Sequence, residues 1–235
     1  MKCTPMDPLP VRRRLTVLRD GSTSATSLVF CDSQMRSVPV SCCATCGAGG
    51  AVERDAEGWE TTVECERFAL TSLRPDPAPA APGADGDAWG PGIVSVAARL
   101  PVGSCLVRPT VCLAHNAPLR VAARALEMET SAYGVPVVDE EGRLVGILPR
   151  ATTALGLLKN AGDAAAEHVT IDWSTVDESL SLSGAFELMV TRRARELSVV
   201  GTGRTVVGTL RDIDALRFVA HVSRTGMRPP LERAA

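Results

Sequence analysis

Cysteine is the residue type in this sequence whose spacing offers chemistry. Five of the eight cysteines fall at positions 31, 42, 43, 46 and 65. Cys43-Ala44-Thr45-Cys46-Gly47 is a CxxCG run. Two thiolates two residues apart can point at one cation, and the following glycine permits the tight turn. Cys31 and Cys65 close two short β-like runs, SLVFC and TTVEC. Cys31, Cys43, Cys46 and Cys65 would complete a four-sulfur tetrahedral site in the order C-x11-C-x2-C-x18-C, and Cys42 could replace Cys43. Zinc is the default ion for such a set, with iron as the alternative. Inert buried thiols would explain single cysteines but not this density. A disulfide framework is disfavoured by a cytosolic setting, whereas a thiol redox switch also suits a CxxC.

Other catalytic constellations are thin. His115, His168 and His221 stand singly, at no ligand spacing, and read as surface or capping residues. No dinucleotide fingerprint, phosphate-binding loop or nucleophile elbow occurs, and no nucleophile has a visible base partner. The sequence therefore does not read as an enzyme. Arg12-Arg13-Arg14 reads as a solvated face or tail, able to meet phosphate or an acidic partner. Arg192, Arg193 and Arg195 could help bind an anion, or could form a solvated helix face. The cysteine-rich segment resembles a small zinc-ribbon-like or rubredoxin-like module, with one knuckle of the usual two. A short segment with few large apolar residues needs a staple to fold, and a metal would supply it.

The elements that would position a second site come from a repeat. Residues 133–152 read YGVPVVDEEGRLVGILPRAT, and residues 195–214 read RELSVVGTGRTVVGTLRDID. Pro136 aligns with Ser198 and Gly146 with Gly208, both at an offset of 62. Each copy predicts strand, turn, strand and helix start: Val135–Val138 and Leu197–Val200, then Leu144–Leu148 and Val206–Leu210. Upstream, Leu119-x-x-Ala122 and Leu182-x-x-Ala185 open helical stretches at an offset of 63. Neither copy would bury its apolar face alone.

These residues resemble a tandem cystathionine β-synthase (CBS) domain pair. The resemblance rests on the helices, on GVPVVD at Gly134–Asp139 and on RLVGIL at Arg143–Leu148, and covers roughly residues 93–224. It implies an α/β (α+β) fold of two β-α-β-β-α units, following a small Cys-rich β-type module. It also implies clefts that hold adenine nucleotides (AMP, ADP or ATP) or S-adenosylmethionine. In the family the strand glycine is followed by Ser or Thr at the third position and Asp at the sixth. In the first copy these positions hold Pro149 and Thr152, so both polar groups are changed. In the second they hold Arg211 and Asp214. The resemblance thus implies a ligand site at Asp214, Arg211, Gly208 and Val199, with Asp214 accepting from ribose hydroxyls and Arg211 meeting phosphate. Asp214 would also be favoured at a helix start by the dipole, whatever the ligand.

Length and composition fit. The chain has 235 residues, net charge −2 and 45% hydrophobic residues, enough for one or two cored domains. Near-neutral charge makes no global case for nucleic acid, which stays open as a partner. Aromatics are 3%, few for stacking bases. No apolar run is long enough to span a membrane, the N-terminus does not read as a signal peptide, and the expected compartment is the cytoplasm. The expected division is a Cys-rich module at 1–73, a Pro/Ala/Gly linker at 74–92, the pair at 93–224 (copies about 93–160 and 161–224) and a tail at 225–235. The linker is expected to separate the module's core from that of the pair. Cys105 and Cys112 are expected in the core. The function expected is a non-catalytic regulator that senses an adenosyl ligand and signals through a protein effector, as a homodimer. A ligand-free interaction scaffold and a metal- or redox-responsive protein are the alternatives.

Overall fold

The computed structural model describes residues 8–31, 34–47, 49–65, 96–106, 109–128, 134–159, 165 and 175–225. The expected linker at 74–92 lies outside them, as do His168 and all of the tail beyond Thr225. The chain forms a mixed α/β fold with two sheets.

Five strands come first: β1 (Leu9–Val17), β2 (Thr23–Cys31), β3 (Arg36–Pro39), β4 (Gly49–Arg54) and β5 (Glu60–Cys65), with the short helix α1 (Val40–Ala44) after β3. Alternation sets the two faces of β1. Leu9, Val11 and Val17 face buried clusters on one side, and Arg12 and Arg14 point to the other. β2 pairs with β1 antiparallel, Val11 opposite Val29. β5 takes the start of β1's other edge, Leu9 opposite Val63.

The first repeat supplies β6 (Thr110–Ala114), α2 (Leu119–Met128), β7 (Gly134–Val138), β8 (Leu144–Pro149) and α3 (Arg150–Lys159). The second supplies β9 (Thr175–Asp177), α4 (Leu182–Arg192), β10 (Glu196–Val200), β11 (Val206–Arg211) and α5 (Asp212–Thr225). Both hairpins and both helix starts lie where the repeat predicts. Ser181 caps α4, its hydroxyl accepting from the Gly184 amide at 3.2 Å. Arg193 ends the helix in the left-handed region, φ 52°.

The N-terminal strands keep a cluster of their own, Leu9, Val11, Val29, Val38, Val40 and Val63, and also join the sheet of the first repeat. β1 runs parallel to β6, Arg14 opposite Thr110 through Val17 opposite Leu113. One eight-stranded sheet therefore runs β3-β2-β1-β6-β7-β8, with β4 and β5 attached through β1. The physical reason is the pairing itself: β6 offers an apolar edge, and β1 satisfies its backbone groups. The second repeat forms a three-stranded sheet, β11-β10-β9.

The cores cross the expected boundaries as well. Val102, Cys105 and Leu106, near the start of the first copy, are buried with Leu197, Val199, Leu210 and Phe218 of the second. Leu28 of β2 joins that same cluster. Val138 and Leu144 meet their repeat counterparts Val200 and Val206, together with Cys112, in a small cluster between the repeats. Cys105 and Cys112 are buried, as expected. Among the described residues, no helix is long and apolar enough to cross a membrane.

Candidate functional site

The second repeat's strand-to-helix junction holds the two charged residues that the motif singled out. β11 ends at Arg211 and α5 begins at Asp212. Asp212 and Asp214 both fall in the first helical turn, where the dipole favours a carboxylate. The Arg211 guanidinium donates through Nε to Asp214 Oδ2 at 2.8 Å, with side-chain exposures of 21% and 12%. The pair is half sheltered, so solvent screens it less than an exposed pair.

Gly208 and Val199 lie elsewhere. They are ladder partners across β10 and β11. Val199 is fully buried. A Cβ on Gly208 would stand 2.6 Å from Leu106 Cδ1, so the absent side chain makes room for Leu106. Three residues apart on one strand, Gly208 and Arg211 face opposite sides of the sheet. The structure thus brings Asp214 and Arg211 together, and packs Gly208 and Val199 against a leucine from outside the repeat motif.

The first repeat has no counterpart carboxylate. α3 carries no acidic residue in its first turn. Thr153 Oγ1 donates to the Pro149 carbonyl at 3.0 Å, and Arg150 reaches the Leu126 carbonyl at 2.9 Å. Pro149 also has no amide to offer an anion. The two junctions therefore share a backbone plan and differ in chemistry.

The thiols gather at the other end of the molecule. Cys31 and Cys65 each lie two residues beyond a buried valine, Val29 and Val63, so they share that face of the sheet. α1 lies across this face, with Val40 and Cys43 three residues apart on the same side. Cys31, Cys43 and Cys65 pack against one cluster formed by Leu9, Val11, Val29, Val38, Val40 and Val63. Cys42 and Cys46 are exposed. Burial pushes the Cys43 thiol up, and the neighbouring Cys31, Cys65, Cys46 and Cys42 push it further. Among the described residues, no group of three or more His, Cys, Asp or Glu side chains could hold a metal ion, so the four-sulfur site expected at Cys31, Cys43, Cys46 and Cys65 is not formed: β2 and β5, which carry Cys31 and Cys65, lie on opposite edges of β1.

Sequence reading missed a third constellation. Arg12, read as part of a solvated run, is 3% exposed, and Glu178 is 2% exposed. Arg12 donates to Ser37 Oγ at 2.6 Å and to the Gly103 carbonyl at 3.2 Å. Glu178 Oε2 accepts from the Ser37 amide at 2.8 Å and from the Ser37 hydroxyl. Arg14 donates to the Val206 carbonyl at 3.2 Å. Arg13, on the other face of β1, pairs with Asp55 at 3.0 Å and lies 4.7 Å from the Trp59 ring centroid. A run of three arginines inside an alternating strand was the available signal: the outer two share a face. Those two join β1 and β3 to the second repeat.

Residues 102–152 match the family model of the CBS domain. The sequence matches no curated protein. Among solved structures, an uncharacterized conserved protein from Pyrococcus horikoshii is similar at 18% identity and TM-score 0.45, covering 72% of this chain and 67% of that one. A CBS domain pair/ACT domain protein from Thermotoga maritima is similar at 16% identity and TM-score 0.45, covering 52% and 98%. A CBS domain pair in complex with 5′-methylthioadenosine and S-adenosyl-L-methionine is similar at 29% identity and TM-score 0.41, covering 50% and 93%.

Proposed function

We propose that the two repeats form a non-catalytic regulatory pair that binds an adenine nucleotide or related adenosyl ligand at the second repeat's junction, and signals through a protein effector. The observation that carries this reading is the Arg211–Asp214 pair at the start of α5, set against its absence from the first repeat. The carboxylate is the acceptor that two vicinal ribose hydroxyls require. The guanidinium is a donor fork for phosphate or a substrate carboxylate. In the chain alone the two groups satisfy each other. Ligand binding exchanges that pair for two separate contacts, Asp214 turning to the sugar and Arg211 to the anion. The family match over 102–152 lies on the first repeat, and the second repeats it in sequence and in element order.

Calorimetry of the full chain against AMP, ADP, ATP and S-adenosylmethionine tests this. A charge-assisted hydrogen bond contributes about 1.5–3 kcal/mol. Asp214→Ala should therefore weaken binding about 10- to 100-fold, and Thr152→Ala should leave it unchanged. No heat from any of the four with folded protein would overturn the ligand reading in favour of an interaction scaffold. Equal losses from the two substitutions would move the site away from Asp214.

The same pair is proposed to act as a homodimer. Val190 on α4 is 79% exposed and Ile213 on α5 is 46% exposed. A second copy packing symmetrically on these helices would cover both residues. Native mass spectrometry should read a dimer at micromolar protein, and a monomer at tens of micromolar would sink the idea.

A further inference from the structure

We propose that Cys43 and Cys46 form a thiol–disulfide exchange site, oxidised to an intramolecular disulfide by a low-molecular-weight disulfide and restored by a thiol. The geometry is set where α1 ends. A continuing α-helix would bond the Cys46 amide to the Cys42 carbonyl. Here the Cys46 amide donates to the Cys43 carbonyl at 3.2 Å, and the Cys42 carbonyl accepts from the Thr45 hydroxyl at 3.2 Å. The shorter hydrogen-bonded loop tightens the last turn and brings side chains three residues apart into register. It pairs Cys46 with Cys43 and not with Cys42. A four-residue turn keeps its end Cα atoms within about 7 Å, and a disulfide spans roughly 4.4–6.8 Å between Cα atoms. The backbone then turns again, the Gly49 amide donating to the Cys46 carbonyl at 2.9 Å. A Cβ on Gly49 would overlap the Cys43 carbonyl, so this second turn folds back against Cys43.

Other pairings are poorly placed. Cys31 and Cys65 lie on strands at opposite edges of β1, two strand spacings or roughly 9–10 Å apart and beyond that span. A bond between Cys42 and Cys43 would strain the planar peptide that joins them. The surroundings of the chosen pair set the order of events. Cys46 is exposed and open to a small disulfide. Cys43 is half-buried against five valines and one leucine. Burial and the neighbouring thiols raise its pKa, so it stays protonated until the second step. First, the Cys46 thiolate attacks one sulfur of the small disulfide, a mixed disulfide forms and one small thiolate leaves. Next, that thiolate takes the Cys43 proton, the Cys43 sulfur attacks the Cys46 sulfur, and the second small thiolate leaves and is protonated by solvent. The protein gives up two electrons and two protons, and the small disulfide becomes two thiols. A thiol three residues away competes at an effective concentration on the order of millimolar or more, so the mixed disulfide is short-lived. α1 can absorb the closure, being five residues long with no side-chain cap, far below the length at which a helix is stable alone.

Redox titration of the full chain in mixtures of reduced and oxidised glutathione tests this, read by thiol counting and intact mass. Two thiols should be lost together, without bound glutathione, in mixtures reducing enough to leave isolated thiols free. Dithiothreitol should restore both. Cys42→Ser should oxidise as the parent does. Cys43→Ser should need about 10-fold or more oxidised glutathione to react, and should then carry glutathione on Cys46. Cys46→Ser should form no intramolecular disulfide. Circular dichroism confirms that each variant folds, and Cys43→Ala takes the place of Cys43→Ser where the serine does not. Retention of every thiol by the parent across the titration would overturn the proposal. So would disulfides formed only between chains, or an intramolecular disulfide that survives loss of the Cys43 thiol.

Discussion

Arg12→Ala should remove about 3–5 kcal/mol of folding stability, lowering the melting temperature by roughly 10 °C or more. The guanidinium is buried between β1, β3 and the turn at Val102–Cys105. Truncation strands the Gly103 carbonyl and takes a charged donor from Ser37, while the Glu178 carboxylate stays behind in the same pocket. A buried acceptor without a partner carries its full desolvation cost. Among the described residues, Glu178 Oε1 already has no hydrogen-bond partner, so the site has no slack to absorb the loss. Arg13→Ala is the contrast. Its ion pair with Asp55 is about one-third exposed on both sides, and such pairs contribute about 0–1 kcal/mol. Urea unfolding of both variants, with equal slopes, checks the difference. A loss below about 1 kcal/mol for Arg12→Ala would mean that water replaces the guanidinium at no cost.

Gly134→Ala should cost about 3 kcal/mol. Gly134 opens β7 opposite Pro149 of β8. An added Cβ would overlap the carbonyl oxygen of Leu148, a backbone atom of the neighbouring strand. The side chain of Leu148 is fully buried in the first repeat's core, so the strand cannot retreat without opening that cluster. Gly47→Ala meets no atom within 4 Å, and should change stability by less than about 0.5 kcal/mol. Denaturant midpoints measure both. Equal midpoints would show that the β7–β8 hairpin yields where the packing says it cannot.

The repeat was legible because its signals are local. Short apolar runs at Val135–Val138 and Leu197–Val200, turn residues after each, and a constant offset of 62 placed both hairpins and both following helices. Asp214 and Arg211 were singled out separately through their motif positions; that three residues at a strand-to-helix junction bring their side chains together is seen only in the structure. What lay outside local reach was missed. Nothing in LPVRRRLTV names Thr110–Leu113 as its partner, since parallel pairing carries no turn signal. Reading Arg12 by charge alone ignored that every second residue of a strand faces inward. Gly208 was read through its motif, but its neighbour Leu106 comes from the start of the first copy, more than ninety residues away in sequence. Cys42 and Cys43 could not be told apart in sequence; α1 leaves Cys42 exposed and half-buries Cys43.

The parallel β1–β6 pairing also bears on how the repeats behave when cut away from the residues before them. A fragment beginning after residue 92 would keep both repeats and lose β1. Along Thr110–Leu113, β6 would then present a bare row of amides and carbonyls behind a strand of buried, β-favouring side chains. Such an edge is a template for the same strand of another molecule. In the whole chain that template is already taken by β1, which arrives first during synthesis and waits about ninety residues for its partner. The amino-terminal strands thus act as a built-in guard against edge-to-edge polymerisation.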